Sequence, residues 1–265
     1  MNYTTQAIER PSSATQKESA WKFLYMTGGV AALLAVLFFR RFLAVELMTF
    51  NGFGIFDVPS TEPATVLEWF TLLEGNKVVG LILLGIVDLI NYALVGLLFL
   101  AVYGALRKVN KTAMGMAILL SMVSISVYFA SNQALGFLHL SQQYQAATSD
   151  AQRSIYLGAG EAIAANIQGT GWYVSLFFIY LAGLIIALVM LNSNVFNKVT
   201  AWTGVLANGF GLLLFPALIF TPDIAWLPPS LSAPFRVTWY VLIAIRLFKL
   251  AKNANKEIEH SKEKE

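Results

Sequence analysis

A carboxylate inside an apolar run is the feature of this sequence that most strongly suggests chemistry. Asp88 lies in the stretch LGIVDLINYAL, and Asn91 follows three residues later. A charged side chain at the centre of a membrane costs about 2.5–3.5 kcal/mol, so such a residue is rarely idle. We therefore expect Asp88 to face protein rather than lipid, and to have hydrogen-bonding partners there.

Polar residues in other apolar runs lie at a similar depth. In the third run they recur at three- and four-residue steps, at Ser121, Ser124, Tyr128, Asn132, Gly136 and His139. In the fourth run one helical face carries Glu161, Gln168, Trp172 and Ser175. At about 1.5 Å per residue, antiparallel neighbours would bring Asp88, Asn132 and Gln168 to one level. The candidate polar cluster comprises Asp88, Asn91, Asn132, Gln133, His139, Glu161, Gln168 and Arg236.

This cluster has two interpretations. One is an outward-facing polar pocket that binds a solute, an ion or a lipid headgroup. The other is a set of interhelical hydrogen bonds that fix the register of a bundle, each worth about 0.6 kcal/mol. Residue types and spacing leave both open.

Composition excludes several other classes of site. The chain has no cysteine, which removes disulfides, thiolate metal sites and cysteine nucleophiles. It has two histidines, His139 and His260, too few for a histidine-based zinc site. Five lysines and four glutamates nearly balance from Lys249 onward, so the net charge of +3 does not indicate nucleic acid. We expect no metal and no cofactor.

The elements that carry these residues are those of a membrane protein. The 265 residues are 57% hydrophobic and 12% charged, against about 25% charge in soluble domains. Six apolar runs each approach or exceed the ~20 residues of a membrane-spanning helix, at about 21–39, 78–106, 113–140, 161–191, 199–220 and 231–251. They predict an all-α polytopic bundle at 21–251, between a polar tail at 1–20 and a charged tail at 252–265.

The segment between the first two runs, about 40–77, predicts a short helix outside the membrane. Pro63 follows Ser60, Thr61 and Glu62, a typical helix start. Val66, Leu67, Phe70 and Leu73 recur at helical spacing beside Trp69. This amphipathic helix would lie on the membrane surface or on the bundle, although a plain loop is equally compatible.

The distribution of basic residues predicts the orientation. With six spans and a cytoplasmic N-terminus, thirteen Lys and Arg residues lie inside and five outside. Cytoplasmic loops are enriched in these residues, so we expect both termini in the cytoplasm. The expected location of the protein is the plasma membrane. The pair Arg40-Arg41 violates this pattern locally.

The layout resembles the DUF-4386 family of bacterial integral membrane proteins. The most specific part is an acidic second span, with Asp88, that ends in the basic sequence Leu106-Arg107-Lys108-Val109-Asn110-Lys111. The resemblance covers roughly residues 21–250. It implies a multi-pass bacterial membrane protein, but no reaction and no site.

The sequence therefore favours a non-enzymatic membrane protein with an outward-opening polar cavity that binds or passes a small molecule or lipid. Two rivals remain. One is a structural or regulatory partner of another membrane protein. The other is an intramembrane enzyme acting on lipid, for which Ser121, Ser124 or His139 with Glu161 are the available candidates. The oligomeric state is left open.

Overall fold

The computed structural model describes residues 13–38, 63–167 and 169–262. Within these ranges the chain is all-α, as predicted, and contains no β-strand. Its α-helices are α1 (Ser13–Leu37), α2 (Val66–Gly75), α3 (Lys77–Leu83), α4 (Ile86–Leu106), α5 (Lys111–Ser131), α6 (Ala134–Ala146), α7 (Asp150–Ile167), α8 (Thr170–Leu191), α9 (Lys198–Leu212), α10 (Leu214–Phe220) and α11 (Leu227–Lys262).

Six helical stretches in the described residues are long and apolar enough to cross a membrane. They contain α1, α4, α5, α8, α9 and α11. Each of these helices packs mainly on two others, and together they close a ring in the order α1, α4, α5, α8, α9, α11. The apolar core inside the ring includes Leu98, Phe99, Ile186, Trp239 and Ile243, all at most 1% exposed. The predicted six-span bundle is confirmed.

The three longest apolar runs are each broken into two helices. The chain turns at Leu84-Gly85, at Asn132-Gln133 and just before Thr170. The helices α4, α5 and α8 have 21, 21 and 22 residues, so each rises about 32 Å and alone matches a hydrocarbon layer of ~30 Å. The runs at 78–106, 113–140 and 161–191 therefore exceed one span because each includes a second helix.

The additional helices of these runs, α3, α6 and α7, form a separate layer with α2 at one end of the bundle. We call this layer, made of α2, α3, α6 and α7, the cap. Its core is distinct from that of the bundle and centres on Phe70, whose ring lies 5.3 Å from that of Phe137 and 5.5 Å from that of Tyr144. Gly160 of α7 lets Val66 and Phe70 approach closely, since a Cβ there would lie 2.5 Å from Val66 Cγ1.

The predicted helix after the first span exists, but it begins later than expected. Residues 60–62 lie outside the described residues, and α2 begins at Val66 with Thr65 as its N-cap. The Glu68 N–H, in the first turn, donates to Thr65 Oγ1, and Glu68 Oε2 accepts from the N–H of Ala64, the residue before the N-cap, in an arrangement similar to a capping box. Its buried face packs on α6 and α7, whereas Leu67 is exposed.

The opposite end of the bundle carries basic side chains that contact an aromatic ring or backbone carbonyls. The Arg107 guanidinium lies 4.0 Å from the ring of Trp21. Lys198 Nζ donates to the Leu191 carbonyl, and Arg246 Nε donates to the Val195 carbonyl. We call this end the basic end. Cations at the carboxyl ends of helices stabilise the backbone carbonyls that have no partner in the helix.

The first residues of the charged tail at 252–265 continue the last helix. Helix α11 continues through Lys262, and Lys22 Nζ donates to Asn255 Oδ1. Extension of an existing helix requires no new nucleation, and the tail is rich in Lys and Glu, which favour helix.

Candidate functional site

The break between α3 and α4 exposes a backbone carbonyl to other helices. Gly85 adopts a left-handed conformation with φ of 83°, the one such residue in the described chain. Its carbonyl accepts a hydrogen bond from Asn132 Nδ2 at 3.2 Å and from Tyr128 Oη at 3.3 Å. Because Asn132 itself lies at the break between α5 and α6, two helix breaks meet here.

Asp88 belongs to the same network through Tyr128. Its Oδ2 accepts from Tyr128 Oη at 3.2 Å, and Asn132 Nδ2 lies 3.4 Å from that hydroxyl oxygen. The single phenol proton can go to Asp88 or to the Gly85 carbonyl, and an ionised carboxylate is the stronger acceptor. Asp88 is also the third residue of α4, where the helix dipole favours negative charge.

A second polar layer lies one turn further into the bundle. The ring of Tyr92 stacks on that of Tyr128, with centroids 4.2 Å apart and planes 3° apart. Tyr92 Oη is 2.7 Å from Ser175 Oγ, and Ser124 Oγ donates to the Ser175 carbonyl at 2.7 Å. Both serines are fully buried. Helices α4, α5 and α8 are thus joined by hydroxyl groups below the Asp88 carboxylate.

Arg236 enters the network from α11. Its guanidinium lies 4.3 Å from the ring of Tyr180, and Nη2 donates to Ser232 Oγ at 3.1 Å. Its Nε is buried without an acceptor in the described part of the chain. Arg236 therefore adds a basic group beside Tyr180 in the interior of the bundle.

The remaining predicted residues do not join this network directly. His139 on α6 and Glu161 on α7 are exposed on the cap, and Gln133 precedes α6 at the break. Asn91 is half-buried, and its Oδ1 has no partner among the described residues. Gln168 lies outside the described residues.

The residues proposed for an intramembrane enzyme are not arranged as a catalytic pair. Ser121 Oγ donates to the Ile118 carbonyl and Ser124 Oγ to that of Ser175. No hydrogen bond joins either serine to His139 within the described ranges. Nor does that part of the chain group three His, Asp or Glu side chains around a position for a metal ion.

Two central parts of the site were missed by reasoning from the sequence. The left-handed Gly85 and the Tyr92–Ser175 hydrogen bond were not anticipated. The spacing of Gly85, Asp88 and Tyr92, three and four residues apart, is a signal that could have indicated one helical face.

Comparison of the chain with family models, curated proteins and solved structures found no match. The resemblance to the DUF-4386 family therefore stays a prediction from the sequence.

Gly85→Ala should destabilise the protein by about 1–3 kcal/mol, because a side chain at positive φ is strained. The added Cβ would also lie 3.1 Å from Tyr128 Oη and 3.2 Å from Asp88 Oδ2. Thermal unfolding in detergent measures the effect. Gly158→Ala is the control, since no atom lies within 4 Å of a Cβ there. Equal unfolding temperatures for the two variants would contradict a structural role for this turn.

Proposed function

We propose that this is a non-enzymatic multi-pass membrane protein that binds a small ligand at the network of Gly85, Asp88, Tyr128 and Asn132, and that Asp88 exchanges a proton or a cation there. The observation that carries the proposal is the convergence of a carboxylate and an unwound backbone carbonyl at one helix break. In many secondary transporters unwound backbone carbonyls at helix breaks coordinate Na⁺ or H⁺, and carboxylates inside spans commonly relay protons.

The position of the network supports a binding site. Lengths of about 32 Å for α4 and α5 put their breaks at the edge of the hydrocarbon layer, beneath the cap. Asp88 and Asn132 are only half-buried there. A ligand arriving from the cap side would reach Asp88 before the apolar core.

The polar side chains deeper in the bundle support the passage of a proton or a solute as well as its binding. From Asp88, hydrogen bonds and ring contacts continue through Tyr128 and Tyr92 to Ser175, and Arg236 lies deeper beside Tyr180. Polar groups inside a membrane bundle commonly line the path of a proton or a solute. The competing interpretation, a purely structural network, is favoured by the fact that most of these hydrogen bonds are internal.

A stability screen tests the proposal. The purified protein is heated in detergent with alkali cations, protonated amines or zwitterions, each over a range of concentrations. We expect one class to raise the unfolding temperature, since a ligand at 100 times its Kd stabilises by about 2.7 kcal/mol. The same ligand should have no effect on Asp88→Asn. Stabilisation that persists in Asp88→Asn, or none in the parent across the classes, would contradict the proposal.

We further propose that the protein lies in a bacterial plasma membrane with its basic end and both termini in the cytoplasm and its cap outside. The thirteen-to-five asymmetry of Lys and Arg supports this orientation. An even number of spans puts both termini on one side.

This orientation predicts the labelling of single cysteines by a membrane-impermeant maleimide in intact cells. The chain has no cysteine of its own, so each introduced thiol is unique. Thr148→Cys, in the exposed turn between α6 and α7, should react. Asn194→Cys, exposed at the basic end, should react only after the cells are opened. Labelling of Asn194→Cys in intact cells would contradict the orientation.

A further inference from the structure

A groove of about 580 Å³ lies on α8, outside the polar network. It is lined by Thr170, Tyr173, Val174, Phe177 and Phe178 of α8 and by Phe215 of α10. The ring of Phe215 stands at 90° to that of Phe177, with centroids 5.1 Å apart, and forms one wall. The walls are almost wholly apolar, and Gly169 and Thr170 form the end nearest the cap.

The groove faces the hydrocarbon of the membrane. Its residues on α8 belong to the stretch Asp150–Leu191 and Phe215 to the stretch Lys198–Phe220, and both stretches are apolar enough to cross a membrane. Water gains no hydrogen bonds from such walls, and hydrocarbon is the solvent at this depth. Phe177 is 38% exposed, so the groove is open toward that hydrocarbon.

The length of the groove fits one leaflet. From Thr170 to Phe178 the helix rises about 12 Å, and half of a ~30 Å hydrocarbon layer is about 15 Å. Its polar end lies at the helix break, where lipid headgroups begin, and its apolar end lies near the middle of the membrane. These dimensions match a single acyl chain that enters from the cap side.

We propose that the groove is a specific site for one acyl chain of a phospholipid from the leaflet on the cap side. A concave site contacts the chain on several sides, whereas an ordinary lipid touches a convex helix surface such as that around Leu188, 47% exposed on the same helix. The bound lipid therefore exchanges more slowly than its neighbours. Ser175, the residue after Val174, is hydrogen-bonded to Tyr92. One turn of α8 therefore contributes residues to both the groove and the polar network.

Photolabelling in vesicles tests the site directly. The parent protein is reconstituted with a phosphatidylcholine that carries a diazirine in the middle of one acyl chain, and labelled peptides are identified by mass spectrometry. Label should concentrate several-fold on residues 173–178 relative to those around Leu188, and excess unlabelled phosphatidylcholine should remove it. Even labelling along α8, or label that does not saturate, would overturn the proposal.

A pair of variants tests retention of the lipid. Val174→Trp fills the groove, and Leu188→Trp adds the same bulk to the open surface. Native mass spectrometry in mild detergent should show one phospholipid on the parent and on Leu188→Trp, and none on Val174→Trp. Equal retention by both variants, or retention of a free fatty acid instead of a phospholipid, would contradict the site. If Val174→Trp does not fold, the photolabelling of the parent protein alone decides whether the groove binds an acyl chain. Neither measurement requires a ligand at Asp88, so both are independent of the proposed function.

Discussion

Asp88→Asn should fold and extract from the membrane like the parent protein, yet lose at least tenfold in affinity for any ligand that stabilises the parent. The amide keeps the size of the carboxylate and can still accept the Tyr128 hydroxyl, now 3.2 Å from Oδ2. What it removes is the charge and the ability to exchange a proton. Unfolding temperature measures the first expectation, and ligand titration by thermal shift or calorimetry measures the second.

Asp88→Leu separates a ligand-binding role of Asp88 from a purely structural one. It removes the Asp88 acceptor of the Tyr128 hydroxyl, which keeps only the Gly85 carbonyl that Asn132 also uses, and the loss of such a hydrogen bond costs about 0.5–1.5 kcal/mol. If the network only joins helices, Asp88→Leu should lower stability while Asp88→Asn changes nothing measurable. Asp223→Asn, at an exposed acid on the same chain, controls for loss of charge alone. Full stability and full binding in Asp88→Leu would eliminate both readings.

The bundle could be predicted from sequence because hydrocarbon imposes one simple requirement. Each span must be apolar and long enough to satisfy its backbone hydrogen bonds internally, and hydropathy reports both. Hydropathy does not predict the positions of the helix breaks. A run such as 78–106 would rise about 44 Å as one helix, which exceeds the ~30 Å layer and indicates a second element. Where it breaks depends on Asn132 and Tyr128 from another helix, which bond the Gly85 carbonyl.

The spacing of polar residues predicts their burial correctly within a helix but not across a helix break. A helical stripe assumes an unbroken rotation of about 100° per residue. In α5 that assumption holds, and Ser121, Ser124 and Tyr128 are buried on one face. The break at Asn132 resets the rotation, so His139 emerges on the surface of the cap.

The break before Thr170 has the same effect on the fourth run. It separates the exposed Glu161 from the buried Ser175, although their spacing predicts that both lie on one helical face. Partners such as Tyr92 and Ser175 come from different helices, and no single period encodes that meeting.

Gly28→Ala should have the largest effect on stability in the bundle, because it affects the contact that holds α1 in the ring. A Cβ at Gly28 would lie 2.1 Å from Ala101 Cβ of α4 and 3.3 Å from Leu247 Cδ1 of α11. The Ala101 side chain has no rotamer to change, so the two backbones must separate. Small residues at such crossings permit the close packing that associates membrane helices.

The expected loss for Gly28→Ala is about 1–3 kcal/mol or more, the usual cost of overpacking, and it outweighs the ~1 kcal/mol by which alanine favours a helix over glycine. Gly115→Ala in α5 is the matched control. No atom lies within 4 Å of a Cβ there, so only the helix-favouring term remains. Thermal unfolding in detergent should therefore shift in opposite directions for the two variants, with Gly28→Ala also yielding less monodisperse protein. Shifts of the same sign would show that α1 does not need the close approach to α4.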